Sequence, residues 1–212
     1  MRVIVTRPEG QTDLLADGLR ARGHEVVLCP LVRVEPIGDD PIDLSPYDWV
    51  IVTSANGAAE LARRLRGNPR RLAAVGPATA AALAAHGHDA DLVPAVSTQE
   101  GLLAELPRPA GRVLVAAAEG ARRLLVDALG ADFVALYRTI ELRPAEPPKG
   151  DLAIVASGSA ARALGALDLD VPVVSIGTQT TVAAEAAGLR VVAEAETHDV
   201  EGLLSAVARL AS

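Results

Sequence analysis

Several short stretches of this chain bring hydroxyl, amide or phenol groups to places where an apolar strand gives way to a helix. Thr53-Ser54-Ala55-Asn56 follows the apolar run Trp49–Val52, and Ser157-Gly158-Ser159 follows Leu152–Ala156. A Ser, Thr or Asn at such a place can cap the helix, and the free backbone N–H groups of the first turn favour an anion. The residue types suit both roles, so capping and ligand binding stand side by side. Gly76-Pro77-Ala78-Thr79 and Gly177-Thr178-Gln179-Thr180 repeat the theme, each with a glycine that permits a sharp turn and a close ligand approach. Tyr137 closes the run Phe133-Val-Ala-Leu-Tyr137, where a phenol can donate a proton or a hydrogen bond, or simply pack with its hydroxyl in water. Arg7, held at a strand-to-helix turn by Pro8, adds a cation. The candidate set is therefore Tyr137 for proton chemistry, with Arg7, Thr53, Ser54, Asn56, Gly76, Thr79, Ser157, Ser159, Gly177 and Thr180 as ligand contacts.

Other chemistries are less well served. His24, His86, His88 and His198 fall in turns or beside a helix start, without the spacing of a metal site. The single cysteine, Cys29, excludes an internal disulfide and a cysteine-rich metal centre; it reads as a buried structural thiol. Gly10 and Gly120 lack the glycine spacing of a dinucleotide fingerprint or a P-loop. No metal and no organic cofactor is expected. A net charge of −7 and a pI of about 5.1 argue against a nucleic-acid binder. No run approaches the ~18 apolar residues of a membrane span, and no secretory leader opens the chain, so a cytoplasmic protein is expected.

The elements that must hold these groups follow from composition and pattern. The 212 residues are 50% hydrophobic but only 2% aromatic, which dictates an aliphatic core of Ala, Val and Leu. Short apolar runs read as strands at Arg2–Thr6, Val26–Leu28, Trp49–Val52, Leu72–Val75, Arg112–Ala116, Phe133–Tyr137, Leu152–Ala156, Val173–Ile176 and Val191–Val192. Helical patterns fill the intervals, beginning near Asn56, Ala78, Thr98, Gly120, Ser159, Thr180 and Val200. This alternation implies an α/β fold with parallel sheets flanked by helices.

The chain also repeats itself. Trp49–Leu61 matches Leu152–Leu164, Val75–Thr79 matches Ile176–Thr180, and Glu100-Gly-Leu-Leu matches Glu201-Gly-Leu-Leu. A shorter unit, Arg2–Gly10, matches Arg112–Gly120. Proline-rich breaks at Val34–Pro41 and Leu142–Gly150 decide how the units pair. They predict two similar domains: 1–34 with 144–212, and 38–137. The extended linkers are 34–41 and 137–150, and a ligand cleft is expected between the domains.

The ordered set Val5-Thr-Arg-Pro8, Ile51-Val-Thr-Ser-Ala-Asn-Gly57, Ala74-Val-Gly-Pro-Ala-Thr79, Leu136-Tyr-Arg-Thr139, Val155-Ala-Ser-Gly-Ser159 and Ser175-Ile-Gly-Thr-Gln-Thr180 resembles the uroporphyrinogen-III synthase family. The resemblance implies two α/β domains joined by paired linkers. It also implies a cofactor-free lyase of porphyrin biosynthesis that closes hydroxymethylbilane into uroporphyrinogen III. Water is lost and ring D inverts through a spirocyclic pyrrolenine. On this resemblance Tyr137 assists departure of the hydroxyl, while Arg7, Ser54, Thr79, Ser157 and Thr180 match polar positions around the substrate. Thr178-Gln179 stands where the family usually has Pro-Thr, and Ala116–Ala118 replaces a proline-containing stretch. The expected partner is the bilane substrate, with a transient contact to the upstream bilane-forming enzyme also compatible; a monomer is expected, since two domains closing on a substrate need no partner. The competing readings are a non-catalytic relative that binds tetrapyrrole or another polyanion, and an unrelated hinged two-lobe binding protein.

Overall fold

Val3, Ile4 and Val5 are fully buried, as are Val50, Ile51, Val52 and Ala153, Ile154, Val155. Continuous burial of this kind, without polar alternation, belongs to strands covered by helices on both faces. In a computed structural model, which describes residues 1–8 and 13–210, these runs form the parallel centres of two sheets, the second with an antiparallel edge strand, Val32–Pro36. Glu9 and Gly10 of the first short repeat lie outside the described residues.

The described elements in chain order are β1 (Arg2–Val5), α1 (Asp13–Ala21), β2 (Glu25–Leu28), β3 (Val32–Pro36), β4 (Ile42–Asp43), β5 (Trp49–Val52), α2 (Ala55–Arg64), β6 (Leu65–Arg66), β7 (Leu72–Ala74) and α3 (Pro77–Ala85). They continue with α4 (Gln99–Glu105), β8 (Val113–Ala118), α5 (Leu124–Leu129), β9 (Asp132–Glu141), β10 (Leu152–Val155), α6 (Gly158–Gly165), β11 (Val173–Ser175), α7 (Thr178–Ala186), β12 (Val191–Glu194) and α8 (Val200–Leu210). Every strand read from the sequence is present. Three short ones, β3, β4 and β6, are additional to that reading. α5 begins at Leu124 rather than near Gly120, after a turn closed by the Ala121 N–H on the Ala118 carbonyl at 3.0 Å.

The described chain forms two compact units, Met1–Arg33 with Ile140–Ser212, and Val34–Thr139. The divisions fall inside β3 and β9. The proline-rich stretch 142–150 belongs to the first unit.

In the first unit the strand order is β12-β11-β10-β1-β2, with Val3 opposite both Leu152 and Val26, all parallel. Side chains alternate across this sheet. Val3, Val5 and Ile154 pack with Leu15 and Leu19 of α1 and Leu203 and Val207 of α8. Ile4, Ala153 and Val155 pack with Ala161 and Leu164 of α6 and Ala184 of α7. In the second unit the order is β3-β9-β8-β5-β7, with Val50 opposite both Leu72 and Leu114 in parallel. Ala58, Leu61 and Leu83 of α2 and α3 cover one face; Leu102, Leu125 and Val126 of α4 and α5 cover the other. A parallel bridge from Ala73 to Leu92 occupies the place that β12 holds in the first unit.

The repeated Glu-Gly-Leu-Leu has a steric reason. The Gly101 and Gly202 amides bind Thr98 Oγ1 (3.0 Å) and Asp199 Oδ1 (2.8 Å), drawing each helix start against the preceding loop. A Cβ on Gly101 would meet the Val96 carbonyl oxygen at 2.1 Å, and one on Gly202 the Thr197 oxygen at 2.1 Å. Both motifs therefore require glycine, whatever the unit does.

The helix caps also predict an acid response. The Arg122 guanidinium holds the Glu100 carboxyl down from 4.5 to about 2, and the Gly202 amide with Thr197 lowers that of Asp199. Groups depressed in the folded state contribute stability above their unfolded pKa and lose it as pH falls towards the folded value. The thermal midpoint should therefore drop between about pH 4.5 and pH 2, and Glu100→Gln should flatten that limb. Asp199→Ala, which removes the cap, should cost about 1 kcal/mol at pH 7 by urea unfolding.

Candidate active site

In open parallel sheets, ligands gather beyond the carboxyl ends of strands where the winding direction reverses. In the second unit β5 leads to β7 on one side and β8 to β9 on the other, so the reversal lies between β5 and β8. Thr53 and Ser54 leave β5 there. Ser54 is extended (φ −159°, ψ 157°) and caps α2, its Oγ accepting the Gly57 N–H at 3.0 Å.

The same Oγ lies 2.9 Å from the Tyr137 hydroxyl, and Asn56, two residues on in α2, stands beside that phenol and lowers its pKa. Three of the sequence candidates thus gather at one place, two of them in direct contact. Tyr137 does not end its strand, however, since β9 runs on to Glu141. What turns it is an irregularity in pairing: Ala117 faces Ala135 but Ala118 faces Tyr137, which leaves Leu136 as an extra residue. Strict alternation would send Tyr137 to the α4–α5 face with Phe133. The bulge instead places Leu136 and Tyr137 together against the α2–α3 face. Tyr137 is 7% exposed. Burial pushes its phenol pKa up, and the hydrogen bonds with Ser54 and Asn56 offset part of that rise. The group is held protonated through neutral pH with its oxygen already in contact with polar neighbours.

In the first unit the reversal lies between β1 and β10. Thr6, fully buried, ties the two strands by donating its hydroxyl to the Ile154 carbonyl at 2.8 Å. Arg7 follows, half-buried, and burial lowers its pKa. Ser157 caps α6 through the Ala160 N–H (3.2 Å) and lies 3.1 Å from the Ser159 hydroxyl. Ser157 and Ser159 are the repeat counterparts of Ser54 and Asn56, but here they pair with each other; the chain's only tyrosines are Tyr47 and Tyr137, both in the second unit.

Gly76 and Gly177 stand just before α3 and α7, and neither helix has a side-chain cap. Thr79 and Thr180 lie in the first turns, each 6% exposed. The two turns differ in a way the sequence reading missed. Thr178 donates to Glu194 at 2.9 Å, Thr181 also donates to Glu194, and Ser175 lies 2.6 Å from Thr181. The α7 turn therefore carries its own carboxylate. In the α3 turn Pro77, Ala80 and Val93 occupy the matching positions. The Thr178-x-x-Thr181 spacing was visible, but Glu194 reaches it only through the β11–β12 pairing. His198 packs over Gly177, where a Cβ would fall 2.4 Å from its Nε2.

Cys29 is buried, and its thiol pKa is raised by burial. A cavity of about 500 Å³ beside β2, lined by Leu28, Cys29, Pro147 and Lys149 among others, contains none of the candidate site residues. Among the described residues no three His, Cys, Asp or Glu side chains are placed to hold a metal ion, and no helix is long and apolar enough to cross a membrane.

Comparison with known proteins gives the family of the chain. A provisionally named uroporphyrinogen-III synthase of Methanocaldococcus jannaschii is 29% identical over 151 residues, spanning 66% of this chain and 63% of that protein's length. The uroporphyrinogen-III synthase of Synechococcus elongatus is 29% identical over 97% of this chain and 93% of its own. A crystal structure of a mutant uroporphyrinogen III synthase from the extremely thermophilic bacterium Thermus thermophilus shares the fold with a TM-score of 0.65 at 17% identity, covering 99% of this chain and 98% of its own. The family described as uroporphyrinogen-III synthase HemD matches residues 13–205, and the chain belongs to that family.

Proposed function

We propose that this chain cyclises hydroxymethylbilane to uroporphyrinogen III, losing water and inverting ring D, as the family it belongs to implies. The observation that carries the reading is the 2.9 Å contact between Tyr137 and Ser54 at the reversal point of the second unit's sheet. Tyr137 gives its proton to the hydroxymethyl oxygen, the C–O bond breaks, and water leaves an azafulvene cation. Attack by the substituted carbon of ring D gives the spirocyclic pyrrolenine, which fragments and recloses in the inverted sense. The proton lost from the carbon that forms the last bond returns to the phenolate, so the tyrosine is regenerated. Because the bilane can close unaided to the uninverted isomer, the protein's larger task is to hold the chain in the spiro geometry.

Binding falls to groups that can take the substrate's carboxylates. Arg7 supplies a half-buried guanidinium, and Thr53, Ser157, Ser159, Gly76 and Thr79 supply hydroxyl and backbone donors at strand ends. The Glu194 carboxylate stands against a further anion at Gly177 and Thr180. Arg7→Gln should therefore raise KM about tenfold, the loss of one charge-assisted hydrogen bond, while kcat changes little. The function itself is tested by adding catalytic amounts of protein to freshly generated hydroxymethylbilane. Consumption well above the spontaneous rate, with many turnovers per molecule, is expected. Tight binding of the bilane without faster consumption would establish a non-catalytic binding relative instead.

A further inference from the structure

We infer that Ser54 and Asn56 are positioning residues that donate to the Tyr137 oxygen and leave the phenol proton free to point at the substrate. This rests on the reading of Tyr137 as the proton donor and goes on to say what makes it one. A phenol beside two polar side chains can either donate to one of them or accept from both. If it donated inward, its proton would be consumed within the protein and the residue would serve as a packing element.

The geometry favours the outward arrangement. Ser54 Oγ accepts the Gly57 N–H at 3.0 Å, which takes one of its two lone pairs and leaves its own proton for the phenol oxygen 2.9 Å away. Asn56, in the first turn of the same helix, stands beside the same phenol and can offer its amide N–H. Two donors fill the phenol's acceptor positions, and the hydroxyl proton must then turn elsewhere. The same two donors stabilise the phenolate once the proton has gone. Both are neutral donors, so they orient the phenol without placing a charge beside it. Gly57 belongs to the device, because a Cβ there would lie 3.1 Å from Ser54 Oγ and 3.7 Å from Leu136 Cδ1 and would crowd the hydroxyl.

The test reverses hydrogen-bond polarity without removing the helix cap. Asp is as good an N-cap as Ser, so Ser54→Asp should fold, but its carboxylate can only accept. Asn56→Asp does the same with an unchanged side-chain shape. Each variant should lower kcat about tenfold with KM little changed, and should move the alkaline limb of the kcat–pH profile upward, because the phenolate has lost a donor and gained a negative neighbour. Ser54→Thr, which keeps a donor hydroxyl, should restore most of the rate. In a Tyr137→Phe background neither Asp substitution should lower kcat further, since both act through the phenol. Wild-type kcat in Tyr137→Phe itself would overturn the reading of Tyr137. A slow Tyr137→Phe, with Ser54→Asp and Asn56→Asp at wild-type rate or with an unmoved alkaline limb, would overturn the positioning role alone. An equal loss in the Phe background would do the same by showing direct contact with substrate.

Discussion

Tyr137→Phe should lower kcat roughly 10²-fold, the lower end of what a positioned general acid contributes, and leave KM within about twofold. The ring stays in its place among Val52, Leu61 and Leu136, so shape is preserved. Only the proton donor and its contacts with Ser54 and Asn56 are lost. Stability should fall by no more than about 1 kcal/mol, one hydrogen bond's net worth. Residual turnover is expected because orientation of the bilane, which the variant keeps, carries much of the acceleration. Steady-state kinetics beside urea unfolding separates the outcomes. A large stability loss with wild-type kcat per folded molecule would make Tyr137 a packing residue.

The largest stability effect is expected in the core of the first unit. Ile154→Ala should cost about 3 kcal/mol, within the range for emptying a fully buried aliphatic site. Ile154 is 0% exposed and sits in the central strand pair of that unit, against Leu15, Leu19 and Leu203. Strand and helix faces on both sides limit collapse into the cavity. The Thr6 hydroxyl bond goes to the Ile154 backbone and survives the substitution. The urea midpoint should fall with an unchanged slope, and kcat of the folded fraction should stay within about twofold, because the proton chemistry is assigned to the second unit. A small midpoint shift would mean that α1 and α8 close over the gap.

Much of the fold could be read from residue order. Val3–Val5, Val50–Val52 and Ala153–Val155 announce strands buried on both faces because apolar runs of that length, bounded by turn residues, have few other uses. The paired Glu-Gly-Leu-Leu motifs announced two equivalent helix starts, and the structure supplies the carbonyl contacts that demand the glycine. Ser54, Asn56 and Tyr137 were all legible as polar groups near strand ends. Their meeting was not, because it depends on one extra residue at Leu136, and a bulge leaves no mark in the alternation of Val134, Leu136 and Arg138. β3, β4 and β6 were hidden for a related reason: they lie in polar, proline-containing sequence or at a helix end, where pairing is imposed by neighbours. Glu194 was invisible as a partner of Thr178 because their proximity is created by strand pairing.

The most direct measurement is the isomer identity of the product. Hydroxymethylbilane generated in situ is mixed with the protein, the products are oxidised, and type III uroporphyrin is separated from type I. Predominantly type III product, formed faster than the protein-free control forms type I, is the predicted result. Type I alone at the control rate, from protein shown to be folded, would contradict the account.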